Sequence, residues 1–207
     1  MTLVKDQVDF IGSPARVTRR LMTDPRAAFV GFRNVLAIAF LYEGAILLWA
    51  FGADGVTLPP FLRIPEQQYY YYELAFLVPL FLFTWLLASS IAYVMSKTLG
   101  GKGSFDPLLG GFGLTMAVSA YFTLIPDYIQ GILWSTGWLP FSRYQELTGS
   151  GILLAVVWAY MLAYTLSHLI LYAITVHRTQ SLGKLRSSVV SLVSFIGSFA
   201  VWITFAR

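Results

Sequence analysis

Five apolar segments, at about residues 34–52, 74–96, 107–126, 151–176 and 188–206, recur through the chain. Each approaches or exceeds the ~20 residues a helix needs to cross a ~30 Å hydrocarbon core. This pattern excludes most soluble folds. It also excludes a transmembrane barrel, whose strands would alternate apolar and polar side chains over ~10 residues instead of staying apolar for about 20. Charged residues are only 12% of the chain, against about 25% in soluble domains. The fold expected is all-α: a polytopic five-helix membrane bundle over residues 34–207, preceded by a cytoplasmic or interfacial segment over residues 1–33.

The basic residues alternate between connections. Lys5, Arg16, Arg19, Arg20, Arg26 and Arg33 precede the first span, Lys97 and Lys102 follow the second, and Arg178, Lys184 and Arg186 follow the fourth. The other side receives Arg63, Arg143 and Arg207. Cytoplasmic loops retain Lys and Arg, so the N-terminus is expected in the cytoplasm and the C-terminus outside. The same bias accounts for the net charge of +4 without a nucleic-acid partner. The first 30 residues hold no apolar run of signal-peptide length, so the first span is expected to serve as the insertion signal. With no cysteine, the chain has no disulfide, thiolate nucleophile or cysteine metal site.

Pro14 divides the N-terminal stretch, and Asp24-Pro25 predicts a helix start that carries Ala27, Ala28, Phe29 and Phe32 along the membrane surface into the first span, with Arg26 and Arg33 toward headgroups. Asp106-Pro107 repeats the device before the third span. Tyr69, Tyr70, Tyr71 and Tyr72, after Pro59, Pro60 and Pro65, read as an aromatic belt at one interface. Residues 129–143 are amphiphilic and broken by Gly131, Gly137 and Pro140, which suits the same interface better than another span. Gly111, Thr115 and Ser119 on the third span, and Ser187, Ser191, Ser194 and Ser198 on the fifth, predict close helix contacts and a central position for both spans, or else a hydrophilic pathway.

Gly100, Gly101, Lys102, Gly103 and Ser104 superficially resemble a phosphate-binding loop, but Ser96 stands where the first glycine belongs and Gly103 where the hydroxyl residue belongs. The three glycines are read as a tight structural turn with Lys102 facing headgroups. Three ionisable residues at membrane depth are more informative: Glu43 in the first span, His168 in the fourth, and Asp127 beside Pro126 at the end of the third. Glu43 and His168 fit similar depths. They are either a register-fixing contact, with Glu43 bonded to His168, Tyr164 or a third-span hydroxyl, or a proton relay or cation site. A metal would need more ligands, with Asp127 and Glu73 the available carboxylates, and no metal or cofactor is expected. His177, beside Arg178, reads as a solvated interfacial residue. No serine in a G-x-S-x-G setting, H-E-x-x-H or paired catalytic carboxylates point to an enzyme.

Thr23-Asp24-Pro25-Arg26-Ala27-Ala28-Phe29 and Leu99-Gly100-Gly101-Lys102-Gly103-Ser104-Phe105 resemble the Yip family of five-span membrane proteins. The similarity continues at Leu124-Ile125-Pro126, around Trp158 and in the short basic connection before the last span. The resemblance implies a cytoplasmic N-terminus, five helices and an external C-terminus. Eukaryotic members of that family bind Rab-type GTPases and act in vesicle trafficking. Here only 33 residues precede the first span, so the chain looks more like the compact prokaryotic members, which implies a cytoplasmic (inner) membrane. The resemblance supplies no catalytic residues.

Two functions are therefore expected in competition. In the first, a non-enzymatic protein acts through anionic lipid headgroups and a membrane-protein partner or second copy. Its working face would be built from Arg16, Arg19, Arg20, Arg26, Lys102, Lys184 and Arg186, at about 1 kcal/mol of headgroup attraction each. In the second, a small ion, proton or solute transporter or channel uses Glu43, His168 and Asp127. A continuous polar cavity joining those residues favours transport, and a dry bundle favours the partner role.

Overall fold

The computed structural model describes residues 2–53, 55–56, 61–62 and 64–205. Pro59, Pro60, Arg63 and Arg207, which the sequence assigns to the external side, lie outside the described residues. The helices are α1 (Leu3–Gly12), α2 (Pro14–Leu21), α3 (Ala27–Gly52), α4 (Tyr69–Thr98), α5 (Phe105–Ser135), α6 (Phe141–Thr148), α7 (Gly151–Gln180) and α8 (Lys184–Phe205), with a 3-10 turn at Glu66–Gln68. Five of them, α3, α4, α5, α7 and α8, are long and apolar enough to cross a membrane, which makes this a multi-pass membrane protein.

Asp24 starts the first span as expected. Its carboxylate accepts the Arg26 amide at 2.8 Å and its carbonyl accepts the Ala27 amide at 3.1 Å. From there α3 runs unbroken to Gly52, the helix started at Asp24-Pro25 continuing into the first span. Ala27 is fully enclosed, whereas Phe29 and Phe32 face outward. The third span is also longer than its apolar run suggests. It continues through Pro126 to Ser135, so residues 129–135 extend a helix instead of lying along an interface. Neighbouring helices make an intramembrane proline tolerable. Here Gly131 abuts Leu48 and Trp49 of α3, and Trp134 is buried against Trp49, Phe141 and Tyr144.

The spanning helices form a ring in which α3 packs on α4, α4 on α8, α8 on α7, α7 on α5 and α5 on α3. Helix α5 is the most enclosed and α7 the least. The fifth span is therefore not central: α8 lies between α4 and α7. Ser191 donates to the Leu169 carbonyl of α7 at 2.7 Å, whereas Ser194 and Ser198 bond back into α8. The closest contact in the bundle is the parallel pair α3 and α5. A methyl group added at Gly113 would stand 2.5 Å from the Gly31 Cα, and one at Gly110 would stand 2.4 Å from the Ala27 carbonyl. Glycine there removes the side chain so that backbones can pack directly. Gly111, on the stripe singled out from sequence, faces Thr175 of α7 instead.

Pro14 divides the N-terminal segment into α1 and α2, which form a hairpin packed against α5 and α7. Its polarity is reversed relative to a surface helix: Asp6, Gln7 and Phe10 are buried, while Val4, Val8 and Ile11 are exposed. The Gln7 amide donates to Asn34 at 2.9 Å and accepts the Tyr121 hydroxyl at 2.8 Å. Tyr121 stands sixteen residues beyond Phe105, ~24 Å along α5 at ~1.5 Å per residue. The hairpin thus reaches well into the depth of the bundle. Asp6 bonds both Arg33 and Arg20, the latter at 3.1 Å, so these two arginines turn inward instead of toward headgroups.

The tyrosine cluster divides. Tyr69 and Tyr70 are core residues, with Tyr69 donating to the Phe205 carbonyl, and only Tyr71 and Tyr72 face outward as belt residues would.

Candidate functional site

Two ends of the bundle behave differently. At the end holding Thr98, Phe105 and Gln180, the ring is closed across its middle. The Trp85 indole of α4 donates to the Leu109 carbonyl of α5 at 3.0 Å, and Phe112 of α5 stacks on Tyr172 of α7 with centroids 3.8 Å apart. At the end holding Gly52, Tyr69, Ser135, Gly151 and Phe205, α7 stands away from its neighbours, and residues 151–162 are partly or fully exposed. The ring there surrounds a cavity of about 380 Å³.

All five spanning helices and α6 contribute to this cavity. Tyr42 and Trp49 come from α3, Glu73 and Phe81 from α4, Thr123 and Asp127 from α5, Tyr144 from α6, Tyr160 and Tyr164 from α7, and Trp202 from α8. The rings are fixed by polar contacts. Trp49 donates its indole N–H to the Asp127 carbonyl at 2.8 Å, and Tyr42 meets Thr123 and donates to the Ala120 carbonyl at 3.2 Å. Trp202 sits edge-on to Phe81 with centroids 4.6 Å apart. The Asp127 carboxylate makes no hydrogen bond or ion pair with any described residue and faces the open volume. Among the described residues, neither Lys, Arg nor His lines the cavity. An aromatic chamber of this size, with carboxyl groups on its wall, falls in the range of small-molecule sites, ~300–1,000 Å³.

A second space of about 20 Å³ adjoins it and shares Met116, Tyr164, Phe199 and Trp202. His168 lies here, 3% exposed, with Nδ1 3.3 Å from the Tyr164 carbonyl and its ring between Tyr164, Tyr172 and Phe195. Thr84 and Ser198 complete the polar lining. The space holds about one water, given ~10–15 Å³ for a probe-sized site. It ends at Tyr172, the ring stacked on Phe112.

Of the three residues expected at membrane depth, Asp127 and His168 therefore line neighbouring spaces that share Met116, Tyr164, Phe199 and Trp202. Glu43 lines neither space and makes no hydrogen bond or ion pair with a described residue, so no Glu43–His168 contact forms. Helical phase decides this. On α3 the cavity face is Tyr42, Ile46 and Trp49, and Glu43 is turned away from it. Glu73, 1% exposed, takes the place of the second carboxyl. The sequence offered one overlooked sign, the spacing of Tyr160, Tyr164 and His168 by four residues, which aligns polar aromatics on one face of an otherwise apolar helix. Among the described residues, no group of three or more His, Asp and Glu is arranged to hold a metal ion.

The basic candidates separate similarly. Arg16, Arg19, Arg26, Lys102, Lys184 and Arg186 are exposed. Arg20 is held by Asp6 and by Asp9 at 3.8 Å, and Arg186 also donates to the Leu99 carbonyl at 3.0 Å. The glycine turn is structural in its geometry. Gly100 has φ +89°, a conformation disfavoured for residues with a Cβ, and Gly103 lies directly against the Thr179 carbonyl. The Lys102 amide donates to the Gln180 carbonyl at 3.0 Å, and His177 bonds the Leu182 carbonyl, so it fastens the α7–α8 connection instead of simply meeting solvent. No family model, curated protein or solved structure matches this chain.

Proposed function

We propose that the chain is a non-enzymatic membrane carrier that takes a small solute into the Asp127 cavity from the external side. The supporting observation is the 380 Å³ cavity bounded by all five spans, with the Asp127 carboxyl group on its wall and a closed bundle below it. A carrier needs a site open to one side at a time, and the Phe112–Tyr172 stack with the Trp85–Leu109 bond supplies the closed side. That closure argues against an open channel. Charge alternation supports placing the cavity outside and the Lys102 and Lys184 connections in the cytoplasm of an inner membrane.

The lipid-facing role belongs to the same reading. Arg16, Arg19, Arg26, Lys102 and Lys184 are exposed at the end opposite the cavity, where anionic headgroups would hold them. The five-helix layout and the glycine turn support the resemblance to the compact Yip-type proteins.

Because the chain has no cysteine, one introduced thiol reports without background. In sealed vesicles of known orientation, Thr123→Cys should react with a membrane-impermeant thiol reagent only from the side opposite residues 98–106. Ser119→Cys, fully buried and outside the cavity lining, should stay protected. A Thr123→Cys that reacts from neither side would remove the proposed site.

A further inference from the structure

We infer that two copies of this chain associate side by side in the membrane through the outer face of α3, joined at Glu43. The inference stands apart from the cavity and from whatever the cavity carries. Three observations lead to it.

The first is an intramembrane carboxyl group with nothing to bond. Glu43 is the one Asp, Glu, Lys or Arg in the apolar run 34–52. It is partly exposed, and it has no hydrogen-bond or ion-pair partner among the described residues. Phe40 and Leu47, about one turn to either side on the same face, are 57% and 44% exposed, so this face of α3 meets hydrocarbon. Glu43 stands nine residues from Gly52 and sixteen from Ala27, ~13.5 and ~24 Å along the helix at ~1.5 Å per residue. Its side chain cannot reach water past either end. A polar group held toward lipid at that depth is costly unless something satisfies it.

The second is that the fold itself does not cover this face. Helix α3 packs on α4 and α5, and the hairpin meets it further along, at Arg33 and Asn34. On the remaining side, the exposed residues from Phe40 to Phe51 are apolar, which leaves Glu43 as the group to be satisfied from outside.

The third is symmetry, which selects the occupant. Charge alternation favours one orientation for every copy. A two-fold axis along the membrane normal then sets the same patch of both copies face to face, with residue 43 opposite residue 43 at equal depth. A carboxylic acid group carries an O–H donor and acceptor oxygens, so it can satisfy a second group like itself. A different protein would need its own polar group at this depth and helical phase, whereas a second copy supplies one without further adjustment. Hydrogen bonds of this kind, flanked by packed apolar side chains, hold transmembrane helices together.

The test uses the full chain in lipid vesicles at high lipid excess, with one cysteine added to a sequence that has none. Phe40→Cys and Leu162→Cys are matched positions: both native side chains are 57% exposed, and they stand twelve and eleven residues from Gly52 and Gly151 at the same end of the bundle. Thiol oxidation should trap Phe40→Cys as a covalent dimer and leave Leu162→Cys monomeric. Energy transfer between donor-labelled and acceptor-labelled copies, followed as lipid is added, gives the affinity. Glu43→Leu should keep the parent's melting temperature and associate roughly three- to twentyfold more weakly, the scale of an interhelical hydrogen bond in a membrane. Glu43→Gln, whose amide also has a donor and an acceptor, should associate as the parent does. Equal trapping at both cysteines, trapping at neither, or a Glu43→Leu that associates as tightly as the parent would overturn the interface. A loss in Glu43→Gln as large as that in Glu43→Leu would overturn the hydrogen-bonded pairing. Should Glu43→Leu fail to fold, the two cysteine variants decide, because both retain Glu43. A Thr123→Cys that is labelled from one side in a chain that stays monomeric keeps the cavity and discards this interface.

Discussion

Asp6 and Arg33, 27 residues apart, form an ion pair in which the aspartate side chain has no exposure and the arginine side chain is 24% exposed. Arg20 joins from α2, so one carboxylate ties both helices of the hairpin to the first span. A buried pair is weak evidence of net stabilisation, because desolvation offsets its attraction. Removing one partner, however, leaves a charge stranded and costs ~3–5 kcal/mol.

Asp6→Asn should therefore lower thermal stability strongly, whereas Asp6→Leu combined with Arg33→Met should recover much of the loss. The measurement is a double-mutant cycle on detergent-purified protein. Additive effects would mean that the pair does not join the hairpin to α3.

The second prediction concerns the hairpin's outer face. Val4, Val8 and Ile11 are 60–66% exposed, while their polar neighbours Asp6 and Gln7 are turned inward. That arrangement suits hydrocarbon around α1. A fluorophore on Val8→Cys should be quenched by lipid-borne spin labels and ignored by aqueous iodide. Val8→Asp should cost about 2.5–3.5 kcal/mol if the site is deep, measured as loss of folded yield. Strong iodide quenching would place α1 in water.

The contrast between hairpin and spans shows what the sequence made legible. The spans could be read because backbone satisfaction in lipid forces long apolar helices, and each left its run in the chain. The Asp24 start and the Gly100–Gly103 turn were legible because each is fixed by nearby backbone geometry. Arg20 and Arg33 were read as facing headgroups because their partner Asp6 lies on another helix, and Gln7 drew no reading because its partners, Asn34 and Tyr121, do too. The candidate site was half legible for the same reason. Hydropathy gives a residue's depth, but which way it faces depends on the order of helices around the ring. Glu43 and Asp127 were equally conspicuous in sequence, yet only Asp127 shares a cavity with Tyr160 and Tyr164, next to the space that holds His168.

The last prediction separates shape from charge in the glycine turn. Gly103 packs so closely on the Thr179 carbonyl that a Cβ would overlap it, and this contact is flanked by the Lys102–Gln180 and Gln180–Ser104 hydrogen bonds, each 3.0 Å. Moving backbone to admit a methyl group would disturb both bonds, so Gly103→Ala should lose ~1–3 kcal/mol, the usual scale of overpacking. Lys102 contributes its amide to this arrangement while its side chain is exposed, so Lys102→Gln should retain the parent's melting temperature and lose only affinity for anionic vesicles. Both variants should be measured side by side for thermal unfolding and for binding to vesicles with and without anionic lipid. A phosphate-binding loop would give the reverse order, with saturable nucleotide binding in the parent that Lys102→Gln abolishes.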